Sequence, residues 1–138
     1  MVFSYEIAIS TKGYCDIHDI TTSVEKAVTL SGISNGIVCV FVNGSTAGIT
    51  TCEYEPGLVR DLRDAFDRIV PQEGEYHHNM AWGDGNGFSH VRASLLGPSL
   101  SIPLQDGKMS LGMWQQIIVI DFDNRPRKRS VVIQIVGE

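Results

Sequence analysis

Three of the chain's four histidines lie within fourteen residues, in the segment HHNMAWGDGNGFSH that runs from His77 to His90. Neutral imidazole is the commonest protein ligand for divalent transition metals, and a catalytic metal typically has three protein ligands and one open position. The intervening glycines would let the chain bend so that His78 and His90 converge, with Asp84 and Asn86 between them. The spacing matches no standard zinc motif, so the segment is either a ligand cluster or a glycine-rich surface loop.

The segment ITTCEYEPG places Glu53 at the end of a predicted strand, just before a predicted helix. A carboxylate in that position suits a general base or a metal ligand. The alternative is a solvated acid or a helix N-terminal charge, and this alternative fits Glu55 better than Glu53.

Ser45 and Thr46 lie in the segment NGSTAGITT, which follows a predicted buried strand. Hydroxyl and backbone N–H groups in such a turn can donate hydrogen bonds to a phosphate. The segment is not a P-loop, so it supports a phosphate site only together with other residues.

The segment RPRKR, residues 125–129, carries four cations in a chain of net charge −5. Guanidinium groups bind phosphate bidentately, which makes Arg127 and Arg129 candidate phosphate ligands. The alternative is a solvated hairpin whose charges deter edge pairing.

The segment LGMWQQI contains Trp114 and Gln115, which are suited to stacking on a heterocycle and hydrogen-bonding to it. The alternative interpretation places Trp114 in the hydrophobic core. The fourth histidine, His18, lies far from the others in sequence and is interpreted as a surface residue.

The elements that must position these residues follow from periodicity and from turn residues. A capping box at Thr22–Glu25 and a stop at Gly32 predict one helix, and Pro56 and Pro71 bracket a second. The predicted helices cover about 23–31, 56–70 and 89–96, and the predicted strands cover 3–9, 36–42, 49–53, 99–104, 109–111, 114–122 and 130–136. The last four strands are predicted to form an antiparallel meander. This order favours a single α+β domain over residues 1–138, with largely antiparallel sheets and two or three helices.

The predicted strand 114–122 is apolar on both faces. Both faces therefore need cover, and with so few helices we expect part of that cover to come from another subunit.

The composition argues against several classes of protein. The net charge of −5 disfavours a role in binding nucleic acid or an anionic membrane. No apolar segment approaches the ~20 residues that a membrane helix needs, and the N-terminus does not have the pattern of a signal peptide. Cys15, Cys39 and Cys52 have no C-x-x-C spacing, and we interpret them as reduced thiols of a cytoplasmic protein.

Taken together, four ordered segments resemble the YjbQ-like family, whose members are named secondary thiamine-phosphate synthase enzymes. The resemblance rests on SLSIPLQDGKMSLGMWQQI, GSTAGITTCEYEPG, VPQEGEYHHNMAWGDGNGFSHVRASLLGPS and RKRSVVIQIVGE, and it covers nearly the whole chain. It implies a compact α+β homotrimer with polar pockets near subunit contacts and histidines able to hold a metal. The implied divalent metal is zinc, with magnesium as the alternative.

The resemblance also implies roles for individual residues. His78 and His90 match the family's histidines, Asp84 and Asn86 its DGN motif, and Glu53 the acid after its first motif. Trp114 and Gln115 match its WQ motif. The chain departs from the family pattern at four positions, where relatives carry His or Thr: Gly44, Gly83, Phe88 and Met113. Fewer imidazoles leave fewer ligands for a metal.

The resulting hypothesis is a metal-assisted enzyme that acts on a phosphorylated small molecule. The implied reaction is a weak joining of a pyrimidine pyrophosphate to a thiazole phosphate, with the metal held by His78 and His90. Glu53, Asp84 and Asn86 would be catalytic, and the substrate would contact Ser45, Thr46, Trp114, Gln115, Arg127 and Arg129. Two alternatives are a non-enzymatic trimer that binds a metal or a phosphorylated metabolite, and a purely structural trimer.

Overall fold

The computed structural model describes all residues from 1 to 138 and contains eight strands and four helices. The strands are β1 (Val2–Thr11), β2 (Asp16–Asp19), β3 (Gly36–Asn43), β4 (Ala47–Cys52), β5 (Ser99–Gln105), β6 (Lys108–Met109), β7 (Gln116–Asp121) and β8 (Arg127–Gly137). The helices are α1 (Thr21–Ser31), α2 (Pro56–Ile69), α3 (His77–Trp82) and α4 (Gly87–Leu96).

Two antiparallel sheets form the framework. One has five strands in the order β1-β8-β3-β5-β6, and the other has three in the order β2-β7-β4. The predicted α+β fold is confirmed, although the chain has four helices rather than two or three. The helix that was not predicted is α3, which lies in the glycine-rich histidine segment. None of the four helices has the length and apolar character that crossing a membrane requires.

The predicted C-terminal meander is wrong, because β7 lies between β2 and β4 while β5, β6 and β8 belong to the larger sheet. Both faces of β7 are buried. Ile117 and Val119 join the core between the two sheets, and Ile118 and Ile120 join a second core beneath α2 and α4. The apolar pattern on both faces is therefore explained within one chain, and it does not require another subunit.

The start of α1 differs from the predicted capping box. The N–H of Thr21 donates to the Asp19 carboxylate at 2.9 Å. Ile20, which occupies the N-cap position, makes no side-chain hydrogen bond to the helix. Because Asp19 satisfies this N–H, the helix begins before Thr22. It ends, as predicted, at Gly32, which adopts a left-handed conformation with φ of 67°.

A buried arginine joins the end of α2 to α4 and so fixes the helix that carries His90. Arg92 is 2% exposed; its Nε donates to the carbonyl of Val70 at 2.9 Å and its Nη2 to Asp67 at 3.0 Å. Its guanidinium lies 5.0 Å from the centre of the Phe88 ring. Pairing, hydrogen bonds and the aromatic face compensate for burial of this charge.

Candidate functional site

The two histidines of the glycine-rich segment meet. The ring of His78, on α3, lies with its centroid 4.4 Å from that of His90, on α4, and the rings are tilted by 51°. A carboxylate oxygen of Asp84 lies 3.8 Å from Nε2 of His78. Two imidazoles and one carboxylate therefore share one small region of the surface.

Hydrogen bonds to the turn after α3 hold this arrangement. Gly83 adopts a left-handed conformation that ends α3, and its N–H donates to the carbonyl of Asn79 at 2.7 Å. The side-chain oxygen of Asn79 accepts from the N–H of Gly87 at 2.8 Å. The side chain of Asn124 donates to the carbonyl of Asp84 at 2.8 Å. The segment is thus tied to both α4 and the end of β7.

Asn86 links the histidine segment to the rest of the site. Its side chain is 5% exposed, and its Oδ1 accepts from the Ser89 hydroxyl at 2.5 Å and from the N–H of Asn124 at 3.2 Å. Its side chain also lowers the pKa of Asp123. This oxygen is therefore already used within the fold.

The end of β7 carries a buried carboxylate that fixes Arg129. Asp121 is fully buried and accepts from Nε of Arg129 at 2.7 Å, from its Nη2 at 3.0 Å and from the Thr11 hydroxyl at 2.5 Å. Nη2 of Arg129 also donates to the hydroxyl of Thr46. A bidentate, fully hydrogen-bonded pair of this kind holds both side chains in one geometry.

A second carboxylate, Asp123, lies beside this pair and is 1% exposed. Its Oδ2 accepts from the Thr46 hydroxyl at 2.8 Å and from Nε of Arg127 at 3.1 Å. Its Oδ1 is buried and accepts no hydrogen bond of good geometry within the chain, although the side chain of Asn86 approaches the carboxylate closely enough to lower its pKa. Burial acts to raise the pKa of Asp123, but the hydrogen bond from Thr46 and the charge of Arg127 outweigh it and lower the pKa below its usual value.

The pKa of His90 depends on its burial and on the charges of His78, Asp84 and Asp123. Burial and the proximity of His78 lower the pKa of His90, while Asp84 and Asp123 act to raise it and offset part of the effect. The neutral form of His90 is therefore favoured at neutral pH, which suits it to accept a proton or to bind a cation.

The basic hairpin does not form a free positive patch. Arg129 is 8% exposed and uses Nε and Nη2 within the network, and Nε of Arg127 is paired with Asp123. The terminal nitrogens of Arg127, whose side chain is 36% exposed, make no hydrogen bond within the chain. Arg125 and Lys128 are exposed and make no ion pair. The assignment of Arg127 and Arg129 to phosphate stays a prediction.

Three of the other predicted site residues lie at the opposite end of the three-stranded sheet. Glu53 follows β4, and Trp114 and Gln115 precede β7, whereas Thr46 and Asp121 lie at the far ends of these strands. The six residues of β4 separate Thr46 from Glu53, a distance of roughly 23 Å along the strand. Within one chain, the predicted residues therefore form two separate groups.

Local contacts account for several residues of this second group. Nε2 of Gln115 donates to the Thr51 hydroxyl at 3.0 Å, and its Oε1 accepts from the N–H of Gly112 at 3.0 Å. Gln115 also lines a cavity of about 460 Å³ between α1 and residues 107–116. Trp114 is 69% exposed, so it does not belong to the core. Glu55 accepts from the N–H groups of Gly57 and Leu58, as expected of a helix N-cap.

Two aspartates of the site, Asp121 and Asp123, were not predicted from the sequence. Asp121 and Asp123 lie on either side of Phe122 at the end of a buried strand. Charged residues are rarely buried without a partner, so an acidic pair directly before a basic hairpin was the signal for an internal ion-pair network. Ser45, in contrast, is exposed in the turn before Thr46.

The side chains of one chain do not provide the three ligands that the implied zinc ion would need. No group of three or more His, Cys, Asp or Glu side chains is arranged to hold a metal ion. The contact between His78 and His90 supplies two nitrogen donors, which is one fewer than a catalytic zinc site usually takes from the protein. The residues of one chain therefore do not fit a resident zinc ion, whereas the unpaired oxygen of Asp123 and the exposed carboxylate of Asp84 offer oxygen donors.

Comparison with known proteins identifies the family. A protein-family model described as "UPF0047 protein YjbQ-like" matches residues 5–138. The chain belongs to the YjbQ/UPF0047 family. A UPF0047 protein of Methanothermobacter thermautotrophicus is 36% identical over 137 residues, which cover 99% of this chain and 94% of that protein. The UPF0047 protein YugU of Bacillus subtilis is 33% identical over 132 residues, which cover 95% of this chain and 97% of that protein.

Solved structures of YjbQ/UPF0047 proteins share the fold. A YbjQ-like protein of unknown function from Sulfolobus solfataricus superimposes with a TM-score of 0.95 at 34% identity, covering 100% of this chain and 99% of that chain. A yjbq/upf0047 family protein from Clostridium acetobutylicum superimposes with a TM-score of 0.88 at 39% identity, covering 96% of this chain and 99% of that chain. The sequence and structural comparisons therefore agree on the family of this chain.

Three of the four positions where the chain departs from the YjbQ-like pattern have structural explanations, and nothing in the structure explains Met113. Gly44 has φ of 134°, and a Cβ there would lie 2.5 Å from Nη1 of Arg129. Gly83 provides the left-handed end of α3. Phe88 is 1% exposed and packs against Arg92, so its position faces the core. Met113 is 82% exposed beside Trp114.

Proposed function

We propose that this chain binds, and acts on, a phosphorylated small molecule that arrives as a complex with a divalent cation. The observation that carries the proposal is the buried, unpaired Oδ1 of Asp123, which lies in a carboxylate cluster that influences His90. A buried carboxylate oxygen without a partner is costly, so a group from outside the chain is expected to satisfy it.

The charge of the cluster indicates which form of phosphate would bind. Asp121 and Asp123 pair with the guanidiniums of Arg129 and Arg127, and Asp84 adds a third carboxylate beside His78. The cluster therefore has an excess of one negative charge, and it would repel a bare phosphate. Magnesium ions are usually bound through one or two carboxylates together with substrate phosphates, which matches this donor set.

Each group of the site has a proposed role. Asp84 and Asp123 would hold the cation, and the terminal nitrogens of Arg127 would donate to the phosphate. His78 and His90 would orient the ligand by hydrogen bonds and exchange a proton with it. When bound, the cation would neutralise the negative charge that develops on a departing pyrophosphate.

The resemblance to secondary thiamine-phosphate synthases supports one reaction for this site. In that reaction the nitrogen of a thiazole phosphate forms a bond to the methylene carbon of a pyrimidine pyrophosphate, and the carbon–oxygen bond to pyrophosphate breaks. The reaction needs positioning of two partners and stabilisation of the leaving group, which are tasks for fixed charges and hydrogen-bond donors.

Calorimetric titration of magnesium pyrophosphate into the wild-type chain tests the binding step. We expect Arg127→Gln and Asp123→Asn to weaken binding by roughly tenfold, because each removes a charge-assisted contact worth about 1.4 kcal/mol or more. Arg125→Gln is the matched control, because Arg125 lies in the same hairpin but makes no ion pair. Equal affinities for Arg125→Gln and Arg127→Gln would show that the hairpin contributes only general charge.

A non-enzymatic binding module is the second candidate, and the short distance between the two imidazoles is compatible with either function. Formation of thiamine phosphate in the presence of wild-type chain and of His78→Gln/His90→Gln separates them. Turnover that is lost in the variant identifies catalysis. Turnover that is unchanged, with binding retained, identifies background condensation and a binding module.

A further inference from the structure

Trp82, the last residue of α3, exposes 75% of its surface. Tryptophan carries one of the largest apolar surfaces of any side chain, so this exposure is unfavourable unless another group covers the ring. Trp82 follows His78 by four residues on the same helix, and residues at this spacing lie next to each other on one helix face. Asp84 follows two residues later, just after the end of the helix, so Trp82 lies between two candidate site residues along the chain.

We propose that Trp82 is the stacking platform for a planar heteroaromatic ring in the ligand of this site. This proposal rests on the proposed function and names the residue that would contact the heteroaromatic ring of its ligand. The phosphate end would lie toward Arg127 and the carboxylates, and the ring would lie over the indole. Base–aromatic stacking tolerates many ring types, because every such ring has a π-face.

The backbone at Trp82 is held by the turn that follows it. The left-handed Gly83 ends α3 directly after Trp82, and its N–H is bound to the carbonyl of Asn79. The side chain of Asn79 is in turn bound to the N–H of Gly87, at the start of the helix that carries His90. The tryptophan and the two histidines therefore belong to one hydrogen-bonded unit, which is what a preorganised site requires.

The same helix provides a matched control. Met80 is 86% exposed, but it lies two residues from both His78 and Trp82 and therefore points to the other side of α3. A stacking role predicts that only Trp82 contributes to ligand binding. A general contact surface on α3 predicts that Met80 contributes as well.

Fluorescence provides a direct readout, because the chain has only two tryptophans, Trp82 and Trp114. In a Trp114→Phe background the emission reports on Trp82 alone. The probes are thiamine phosphate, which carries heteroaromatic rings, and inorganic pyrophosphate, which carries none; both are titrated with magnesium present. We expect thiamine phosphate to quench Trp82 and pyrophosphate to leave its emission nearly unchanged.

Affinities measured by calorimetry complete the test. We expect Trp82→Ala to weaken thiamine phosphate binding by roughly tenfold and to leave pyrophosphate binding within about twofold of wild type. Trp82→Phe is expected to recover much of the affinity, and Met80→Ala is expected to leave it unchanged.

Three results would overturn the proposal, and they can be told apart. If wild type binds neither probe, the proposed function fails and the stacking role fails with it. If wild type binds both probes and Trp82→Ala binds both equally well, only the stacking role fails. If light scattering shows that Trp82→Ala and Met80→Ala both change the oligomeric state, the exposed face of α3 is a contact between copies of the chain.

Discussion

The guanidinium of Arg129 lies where a side chain at position 44 would have to be. A Cβ on Gly44 would approach Nη1 of Arg129 to 2.5 Å, and Gly44 has a φ of 134°, which L-residues rarely adopt. The same guanidinium is bound to Asp121 and Thr46. The absence of a side chain at Gly44 therefore allows the ion-pair network beneath the candidate site to form.

Gly44→Ala is expected to lower the free energy of unfolding by about 1–3 kcal/mol, because the chain must strain its backbone or displace Arg129. Urea denaturation of the two proteins measures this change. Gly112→Ala is the control, since a Cβ there would lie at an ordinary 3.6 Å from Gln115 and its φ is not in the left-handed region. Equal midpoints for the two variants would mean that Gly44 does not hold the network in place.

Ionisation of Asp123 is expected to make the free energy of unfolding fall as the pH decreases in the acid range. Its pKa is below the usual 3.8 in the folded chain, so the carboxylate stabilises the fold at any pH above about 4. This contribution is lost as the pH falls from about 4 through the lower pKa of the folded state. Asp123→Asn should therefore be less stable than wild type by about 1–3 kcal/mol near pH 7, with a difference that shrinks between pH 4 and pH 2.

Thermal unfolding followed by circular dichroism from pH 7 to pH 2 measures this difference. Asp64→Asn, which removes an exposed carboxylate from α2, controls for the loss of one negative charge. A difference between wild type and Asp123→Asn that stays constant across the range would show that ionisation of Asp123 does not contribute.

Elements bounded by strong local signals were predicted well. The start of α2 at Pro56, the end of α1 at Gly32 and the turn at Asp106–Gly107 all depend on residues with restricted or unusual backbone preferences. The assignment of β7 to a sheet was not predictable in this way. Its apolar pattern shows that both faces are buried, but periodicity does not identify the strands that lie beside it.

The candidate site was predicted only in part for a similar reason. The glycines of one segment predicted that His78 and His90 would converge, and the two rings do lie in contact. Glu53 and Trp114 were proposed from their chemistry and from the family resemblance, neither of which shows which side chains lie together, and the structure places them at the other end of β4 and β7. Asp123 was overlooked because a sequence shows its charge but not the hydrogen-bond donors that surround it in the fold.

Under the proposed function, the divalent cation arrives with the phosphorylated ligand and is not resident in the protein. The metal content of the purified protein tests this point. We expect protein purified without an affinity tag to hold well under one zinc per chain, because no three-ligand group is present. Mass spectrometry of the metals in wild type and in His78→Ala/His90→Ala measures it. One zinc per wild-type chain that is absent from the variant would support the predicted zinc site instead, with further ligands from outside a single chain.

The predicted homotrimer has a candidate contact surface on the five-stranded sheet. Its outer face exposes Ile37, Phe41 and Val136, by 54%, 41% and 52%, and Ile37 pairs directly with Val136 across β3 and β8. Exposed apolar residues grouped on one face commonly mark contacts between proteins.

We expect Phe41→Lys to reduce the molar mass found by size-exclusion chromatography with light scattering, because a charge in an apolar contact costs several kcal/mol. Leu30→Lys, on the exposed side of α1, should leave it unchanged, and a wild-type chain that runs as a monomer would rule out both the trimer and this surface as its contact.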